Sequence, residues 1–328
     1  MTRMTQSGAM RAAIFEEMQR DDRILVMGED VRRGVVGYTA GLADEFGNDR
    51  VRDTPISEST FIGAGLGAAA TGLVPVIDLL MSTFLYVAMD QVLNQAAKLR
   101  YMMGGACDFP LTIVAATGGG AGMAAQHSES PHPIIMNSGG VKIILPSTPA
   151  DAKGLFKSAI RDPNPVIVLY HGALGAVRGE GPDDEDLLVP LGEGRVLREG
   201  TDLTIAAIGL MAKRAISAAD RLEEEGISVE VVDPRTLFPL GWTTIADSVR
   251  KTGLLLAVDE ARRTCSAASE IVARVTQDAF DALRGPPTVM AVEDVPMPFT
   301  PLLEAEVIPS IDRIADAARE LVKGAEAR

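Results

Sequence analysis

The sequence predicts an α/β protein made of two doubly wound domains. Short apolar runs alternate along the chain with segments of helical period, which is typical of parallel strands joined by helices. The chain has 328 residues, which is enough for about two domains. A stretch rich in glycine, proline and acidic residues, 177–200, separates the two alternating parts. We therefore expect domains at 1–178 and 201–328, joined by a linker at 179–200.

The first domain is predicted to alternate helices with buried strands. An amphipathic pattern predicts a helix over 8–20, and a 3.6-residue period predicts another over 89–103. A third helix is predicted to begin after Thr148, a favourable N-cap residue, with Pro149 at its first position. Apolar runs predict the strands, at 24–30, 73–81, 111–117, 141–147 and 165–170.

The second domain repeats the same alternation of strands and helices. Its strands are predicted at 202–209, 228–233, 254–260 and 287–294. Its helices are predicted at 212–226, 244–253, 267–283 and 308–324. Such an order predicts a second, mostly parallel sheet with helices on both faces.

Composition narrows the classes of function. The chain is 47% hydrophobic but only 4% aromatic, so its core must consist mostly of aliphatic side chains and alanine. Its 31 Lys and Arg against 45 Asp and Glu give a net charge of −14, which disfavours nucleic acids and anionic membranes as partners and fits a basic one. Cys107 and Cys265 form no paired motif, and the first thirty or so residues carry charges instead of an apolar signal core. We therefore expect a cytoplasmic, unexported protein.

Two short glycine patterns, 63–68 and 120–125, match the GxGxxA spacing of dinucleotide-binding loops. Neither is followed by Lys-Ser or Lys-Thr, which excludes a P-loop. The first pattern follows a loop and not a strand, so the sequence favours a helix of small residues packed closely against another element. His127, His132 and His171 show no metal-ligand spacing, and we expect no transition-metal site.

Two side chains are candidates for proton chemistry. Glu58 lies at a predicted helix N-terminus beside Ser57 and Ser59, where it is either a capping acid or a carboxylate held ready for a ligand. His127 follows the glycine-rich stretch that starts at residue 118. That stretch is either a turn with an incidental histidine or a pliable loop that presents a proton-transfer group.

Six stretches that occur in order carry a resemblance to a known family. They are GEDV, DTPISE, DQVLNQAAKLRYMMGG, AAQHSES, PSTPADAKGL and VVDPRTLFPL. From about residue 4 to 325 the chain resembles the β subunits of thiamine-diphosphate-dependent 2-oxo acid dehydrogenases, which include pyruvate, branched-chain 2-oxo acid and acetoin dehydrogenases. The resemblance implies oxidative decarboxylation with acyl transfer to a lipoyl group, by a chain that is active only with an α subunit.

The same resemblance implies a transketolase-like fold, with a pyrimidine-binding domain followed by a transketolase C-terminal domain. It implies an α2β2 heterotetramer in a multienzyme complex, whose lipoyl acyltransferase core binds the C-terminal domain. Thiamine diphosphate would be shared with the α subunit, which holds its diphosphate and Mg²⁺. This division agrees with the lack of a diphosphate loop and of a metal-ligand cluster in the sequence.

The family motifs also imply roles for individual residues. Glu58 matches the glutamate that hydrogen-bonds N1′ of the cofactor's aminopyrimidine, and His127 matches the active-site histidine implicated in reductive acylation. Ile56, Leu80 and Phe84 match positions that line the pyrimidine pocket. Some members bind K⁺ through backbone carbonyls of the β chain, and the matching positions are near Leu111, Thr112, Asp162 and Asn164.

The stretch after the active-site histidine departs from the usual family pattern. Glu129 stands where glutamine is usual. Ile134 and Ile135 replace an aromatic pair, and Asn137 replaces a second histidine. Tyr170 stands where glutamate is common. Because an aromatic wall is lost, we expect a substrate pocket of different shape.

Two other functions remain open at this stage. The altered loop is also consistent with a non-catalytic subunit that only docks the acyltransferase core of the same complex. A complete transketolase-type transferase is disfavoured, because one chain of 328 residues lacks the half that binds the diphosphate.

Overall fold

The computed structural model describes residues 2–327, which divide into two compact units. The first unit comprises the residues up to Thr117 together with Ile134–Leu191. The second comprises Gly118–Pro133 together with the residues from Gly192 onwards. The glycine-rich segment before His127 therefore belongs to the second unit, although it lies in the first half of the sequence.

The first unit is built on a parallel sheet. Its strands are β1 (Thr2–Thr5), β2 (Ile24–Gly28), β3 (Val51–Asp53), β4 (Val74–Met81), β5 (Thr112–Thr117), β6 (Lys142–Ile144), β7 (Val166–His171) and β8 (Arg178–Gly181). Strands β6, β7, β5, β4, β2 and β3 lie side by side in that order, and their pairings are all parallel. The strands are rich in buried valine and isoleucine, as expected for a sheet covered on both faces.

The helices up to this point in the chain are α1 (Gln6–Arg20), α2 (Leu42–Phe46), α3 (Glu58–Ala70), α4 (Leu99–Met102), α5 (His132–Met136) and α6 (Pro149–Ile160). The predicted start of α6 is confirmed, since the Thr148 hydroxyl accepts the Asp151 N–H at 3.2 Å. Helices α1 and α6 pack together through fully buried side chains that include Ile14 and Phe156. The aliphatic core expected from the composition is therefore present.

The helix predicted over 89–103 is not continuous. A π-helix covers Asp90–Ala96, and the short α4 follows it. The wide turn is marked by the Ala97 N–H, which donates to the carbonyl of Val92, five residues back, at 3.0 Å. The backbone at Gly140 lies so close to the end of this π-helix that a Cβ on Gly140 would overlap the Ala97 carbonyl oxygen. Sequence periodicity could not show this approach, because it depends on a distant glycine.

The stretch 177–200 is not only a linker. Strand β8 pairs antiparallel with β1, where a Cβ on Gly181 would overlap the Met4 side chain. Strand β9 (Arg195–Arg198) joins the sheet of the second unit. Both strands are only four residues long and neither alternates apolar with polar residues, so apolar periodicity does not predict them. The division between the two units falls at Leu191–Gly192, within this stretch.

The second unit contains the second predicted sheet. The strands that follow β9 in the chain are β10 (Leu203–Ala207), β11 (Val229–Asp233), β12 (Thr236–Phe238), β13 (Leu255–Arg262) and β14 (Thr288–Val292), and all but β12 belong to this sheet. The sheet order is β14, β13, β10, β11, β9, and only β9 is antiparallel to its neighbour. The helices are α7 (Leu210–Glu224), α8 (Trp242–Thr252), α9 (Ala267–Asp278), α10 (Pro301–Val307) and α11 (Ile311–Glu326). The short α10 is not predicted by the sequence analysis.

Within residues 2–327, no helix is both long enough and apolar enough to cross a membrane. The predicted fold class, two α/β domains with mostly parallel sheets, is confirmed by these two sheets.

Candidate active site

Glu58 lies in the first unit at the first residue of α3, which follows strand β3. Ser57 occupies the N-cap position, but its hydroxyl donates to Thr60 Oγ1 at 2.7 Å and caps no helix N–H. The Ser59 hydroxyl donates to the Val87 carbonyl at 2.7 Å, so neither serine caps the helix. Glu58 is itself only 8% exposed, whereas a capping acid usually remains in water. Its burial favours a ligand-binding carboxylate over a cap.

The small-residue run in α3 lets the helix approach the sheet. A Cβ on Gly65 would lie 2.8 Å from Ile77 Cδ1 of strand β4. The pattern 63–68 lies inside this helix and does not follow a strand. The expectation of close packing is therefore confirmed for this segment, and the packing fixes the helix that begins at Glu58.

Two more acids accompany Glu58 in the first unit, and we name the three the acidic cluster (Glu29, Glu58 and Asp78). Glu29 directly follows strand β2, and its pKa is raised by burial and by the charges of Glu58 and Asp30. Asp78 lies inside β4, where burial raises its pKa to about 6. A Cβ on Gly28 would overlap the Asp78 carbonyl, so glycine allows β2 to pass this close to β4.

The sequence analysis did not single out Glu29 or Asp78 as site residues. Asp78 could have been noticed as a single acid in the otherwise apolar run of β4. It is 1% exposed, and its Oδ1 accepts the Leu80 N–H at 2.8 Å. Tyr38 is also buried, and burial together with the charge of Asp78 raises the pKa of its phenol. The cluster thus extends from the sheet edge into the core.

Three apolar residues lie at the carboxyl ends of the strands that flank β2 in the sheet. Ile56 follows β3, Leu80 lies near the end of β4, and Phe84 follows β4. Leu80 is half-buried and has a left-handed backbone with φ of 62°, which is strained for leucine. Phe84 is half-buried in a 3₁₀ turn, Ser82–Tyr86, and Ile56 is 80% exposed. The structure therefore brings these apolar side chains and Glu58 to one sheet edge, where open α/β sheets bind ligands.

The glycine-rich loop of the second unit forms an anion-binding concavity. Gly118, Gly120 and Gly122 have positive φ values of 86°, 91° and 64°, a backbone that glycine adopts without strain. Alternation of this kind turns successive N–H groups toward one side. The anions are the protein's own carboxylates, Glu260 and Glu304, both of which are buried.

His127 lies in the second unit, on the same segment as the glycine-rich loop. It is half-buried, and its N–H donates to the Ala124 carbonyl at 3.3 Å, in a turn where Ala124 has φ of 62°. Specific contacts hold this segment on both sides of the histidine. They favour a positioned histidine over a turn in which the histidine is incidental.

After His127, the segment is held by contacts with Arg262 and Asp259, two residues that the sequence analysis did not single out. Glu129 forms an ion pair with Arg262. His132 Nε2 lies 3.2 Å from Asp259 Oδ2, and both side chains are buried. Burial alone would raise the pKa of Asp259, but its contact with His132 and the backbone N–H donors around it lower it. Spacing gave no signal for this pair, since its members are 127 positions apart.

The remaining departures from the family pattern lie in the first unit. Ile135 is buried, while Ile134 is about half exposed and Asn137 is exposed. Tyr170 lies on β7, where burial and the charge of Asp78 raise the pKa of its phenol. The replacement of the aromatic pair therefore puts one isoleucine into the core and one at the surface.

The four positions predicted for K⁺ lie together at the amino ends of β5 and β7. The Leu111 carbonyl accepts the Val166 N–H at 2.9 Å, next to Thr112. Asp162 Oδ1 accepts the Asn164 N–H at 2.9 Å, and the Asp162 carboxylate forms an ion pair with Lys142. Within the described part of the chain, no group of three or more His, Cys, Asp or Glu is placed to hold a metal ion. Carbonyl oxygens suit K⁺, but the charge of Asp162 already has a cationic partner.

Comparisons with known proteins agree with this geometry. Residues 2–176 match the family described as "Transketolase, pyrimidine binding domain", and residues 192–314 match "Transketolase, C-terminal domain". A solved structure titled "Split gene transketolase, inactive beta4 tetramer" has a TM-score of 0.80 at 22% identity, covering 97% of this chain and 98% of that one. At that identity the likeness shows the fold alone.

Curated relatives are more similar in sequence. The chain is 44% identical to the acetoin:2,6-dichlorophenolindophenol oxidoreductase subunit beta of Cupriavidus necator, with 96% of each chain covered. It is 42% identical to the pyruvate dehydrogenase E1 component subunit beta of Rhizobium meliloti, covering 97% of this chain and 70% of that one. It is 41% identical to the 2-oxoisovalerate dehydrogenase subunit beta of Bacillus subtilis, covering 98% and 100%.

Both matched domains define a transketolase-type chain, and this confirms the predicted fold. Because relatives above 40% identity match nearly the whole of this chain, the chain belongs to the family of β subunits of 2-oxo acid and acetoin dehydrogenases. The prediction of an oxidoreductase subunit is confirmed at this level. The alternative of a purely structural docking subunit is not favoured, since these relatives are named as dehydrogenase and oxidoreductase subunits.

Proposed function

We propose that this chain binds the aminopyrimidine of thiamine diphosphate and, with an α subunit, catalyses oxidative decarboxylation of a 2-oxo acid or the corresponding oxidation of acetoin. The observation that carries the proposal is the burial of Glu58 at a helix N-terminus, on the sheet edge that also holds Leu80 and Phe84. A buried carboxylate can share a proton with a ring nitrogen, and apolar side chains at the same sheet edge can pack against an aminopyrimidine ring.

In this proposal, Glu58 controls the proton at N1′ of the aminopyrimidine ring. Its carboxylate holds a proton shared with N1′ of the ring, and its fixed position at the start of α3 sets the geometry of that contact. Thiamine diphosphate, when bound, supplies the carbanion chemistry. Leu80 and Phe84 exclude water from the ring, and the strained backbone of Leu80 fits a residue held for contact with a ligand.

His127 serves the second half-reaction, in which the acyl group passes to a lipoyl group. Histidine is suited to that step because it can give or take a proton near neutral pH. The contacts that order its segment, at Glu304 before it and at Arg262 after it, support a role that needs a defined position. Acyl transfer is therefore the step that we assign to His127.

The partners are proposed on the same basis. An α subunit completes an α2β2 heterotetramer and holds the diphosphate and Mg²⁺, and the C-terminal domain of this chain binds the lipoyl acyltransferase core. The support for an α partner is that the relatives are named as beta subunits of E1 components and of an oxidoreductase. Cytoplasmic location and the domain bounds 1–178 and 201–328 remain proposals of the same kind. Co-purification of tagged chain with both partners tests the assembly, and failure to retain either would count against it.

K⁺ binding near Leu111, Thr112, Asp162 and Asn164 is the least specific part of the proposal. The grouping of the four positions at the amino ends of β5 and β7 supports it, and the ion pair of Asp162 with Lys142 counts against it. If K⁺ binds there, thermal unfolding should occur at a higher temperature in KCl than in NaCl of equal ionic strength. Equal unfolding temperatures in the two salts would contradict K⁺ binding at these positions.

The experiment that tests the activity is co-expression with the α chain, followed by a substrate panel. Pyruvate, branched-chain 2-oxo acids, aryl 2-oxo acids and acetoin are each assayed with an artificial electron acceptor. Turnover of one class is expected and would identify the substrate. An intact heterotetramer that binds thiamine diphosphate but turns over no member of the panel would favour the docking-subunit alternative.

A further inference from the structure

We propose that Glu304 is a positioning residue for acyl transfer, because it fixes the loop that carries His127. This inference rests on the proposed function, in which His127 serves transfer to a lipoyl group. Glu304 lies on α10, a helix to which neither the sequence motifs nor the family resemblance assigns a role. It touches no reacting atom in this account and acts only through the loop.

The geometry is a bidentate contact with the loop backbone. Glu304 Oε1 accepts the Gly120 N–H at 2.7 Å, and Oε2 accepts the Gly122 N–H at 3.0 Å. The residue is 1% exposed, so water does not compete for these hydrogen bonds. Hydrogen bonds to a charged acceptor are roughly twice as strong as neutral ones. A single side chain therefore holds two points of the loop.

The loop needs such an anchor because glycine has little conformational preference of its own. Gly120 and Gly122 both have positive φ, and without a partner for their N–H groups this backbone would sample many other states. His127 follows after four residues, Met-Ala-Ala-Gln at 123–126, which contain no further glycine. The place where Gly122 is held therefore contributes to the position of His127.

A second buried carboxylate holds the start of the loop. Glu260 Oε1, on β13, accepts the Gly119 N–H at 2.6 Å. A Cβ on Gly119 would lie 3.0 Å from Ile308 Cδ1 and 3.1 Å from Glu304 Oε1, so the loop is packed tightly on its anchors. Glu304 is itself fixed, since its N–H donates to the Thr300 carbonyl at 2.9 Å. The anchors belong to regular elements of the second unit, which gives the loop a rigid base.

The variant Glu304→Gln tests the inference in the complex with the α subunit. It keeps the size of the side chain but replaces one acceptor oxygen by an NH₂ group that faces a backbone N–H. Glu306→Gln is the matched control, because Glu306 lies on the same helix and is exposed. Two rates are compared for each variant: dye-linked decarboxylation, and reductive acylation of a free lipoyl domain.

Glu304→Gln is expected to lower reductive acylation about 10- to 100-fold more than dye-linked turnover, because displacement of a reacting group by about 1 Å has effects of that size. Glu306→Gln should change neither rate. In a His127→Ala background, Glu304→Gln should lower the transfer rate no further, because both changes remove the same function. Full additivity of the two substitutions would overturn the inference, since it would mean that Glu304 acts independently of His127.

Amide hydrogen exchange gives a readout that does not depend on activity. The N–H groups of Gly120 and Gly122 should exchange faster in Glu304→Gln than in wild type, while helix α7 should be unchanged. Unchanged exchange of the loop would overturn the inference. If Glu304→Gln does not assemble, Gly122→Ala disturbs the same contact from the loop side and must show the same selective loss of transfer. A wild-type complex without dye-linked turnover would instead contradict the proposed function itself.

Discussion

Asp78→Asn should change how the stability of the chain depends on pH. Asp78 is 1% exposed, within the buried strand β4, and burial raises its pKa from 3.8 to about 6. Asparagine has nearly the same shape, and its Oδ1 can still accept the Leu80 N–H. The substitution therefore removes the titration and leaves most of the packing in place.

The sign follows from the direction of the shift. The folded state binds the Asp78 proton more tightly than the unfolded state, so this group stabilises the fold below pH 3.8. That stabilisation is lost as the pH rises through about 6. A shift of about two pKa units corresponds to about 3 kcal/mol in total, of which about 1.4 kcal/mol falls between pH 5 and pH 7.5. Between pH 5 and pH 7.5, the unfolding free energy of wild type should therefore fall by about 1.4 kcal/mol more than that of Asp78→Asn.

The measurement is urea unfolding of the purified chain at pH 5.0 and pH 7.5, followed by far-UV circular dichroism. Asp44→Asn serves as the control, because Asp44 is an exposed acid in the first turn of α2. The difference in unfolding free energy between wild type and Asp78→Asn should change by about 1.4 kcal/mol, and that for the control by a few tenths. Equal pH dependence of wild type and Asp78→Asn would refute the assignment of a titrating, buried Asp78.

Two further substitutions test the packing that supports the site. Asp259→Asn can replace the buried oxygen that contacts His132 Nε2 and the Ala267 N–H by an NH₂ group, and it should lower the unfolding free energy of the chain by about 1–3 kcal/mol. Asp247→Asn, at an exposed pair with Arg250, should cost under about 1 kcal/mol, and a similar loss for both would contradict a specific role of the buried pair. Gly140→Ala should lower the unfolding free energy by about 1–3 kcal/mol more than Gly139→Ala, because only the first Cβ meets the Ala97 carbonyl. Both glycines have positive φ, so the backbone strain is shared, and equal melting temperatures would show that the overlap is relieved at no cost.

Local signals in the sequence predicted local structure well. Thr148 and Pro149 marked the start of α6, and alternating apolar runs located the strands of both parallel sheets. The small residues of 63–68 were correctly assigned to helix packing. Each of these features depends on residues close together in the chain, which is why composition and period were enough.

Features that depend on distant partners were missed. The π-helix coincides with the approach of Gly140, and strand β8 depends on pairing with β1. The anchors of the His127 loop come from residues more than 130 positions away, as in the contact of Glu304 with Gly122. The family resemblance identified Glu58 and His127 as candidates, but only the structure shows that one is buried and that the other lies on an anchored loop.

The central claim is that Glu58 carries the proton chemistry of a thiamine-diphosphate-dependent dehydrogenase. The most direct measurement compares Glu58→Gln with Glu45→Gln in the complex with the α subunit, by cofactor affinity and by dye-linked turnover. Glu45 is the matched control, since it is an exposed acid in the first turn of a helix in the same unit. Glu58→Gln should retain the assembled complex but lose turnover by at least about 100-fold, while Glu45→Gln should match wild type. Turnover by Glu58→Gln at the wild-type rate would contradict the account.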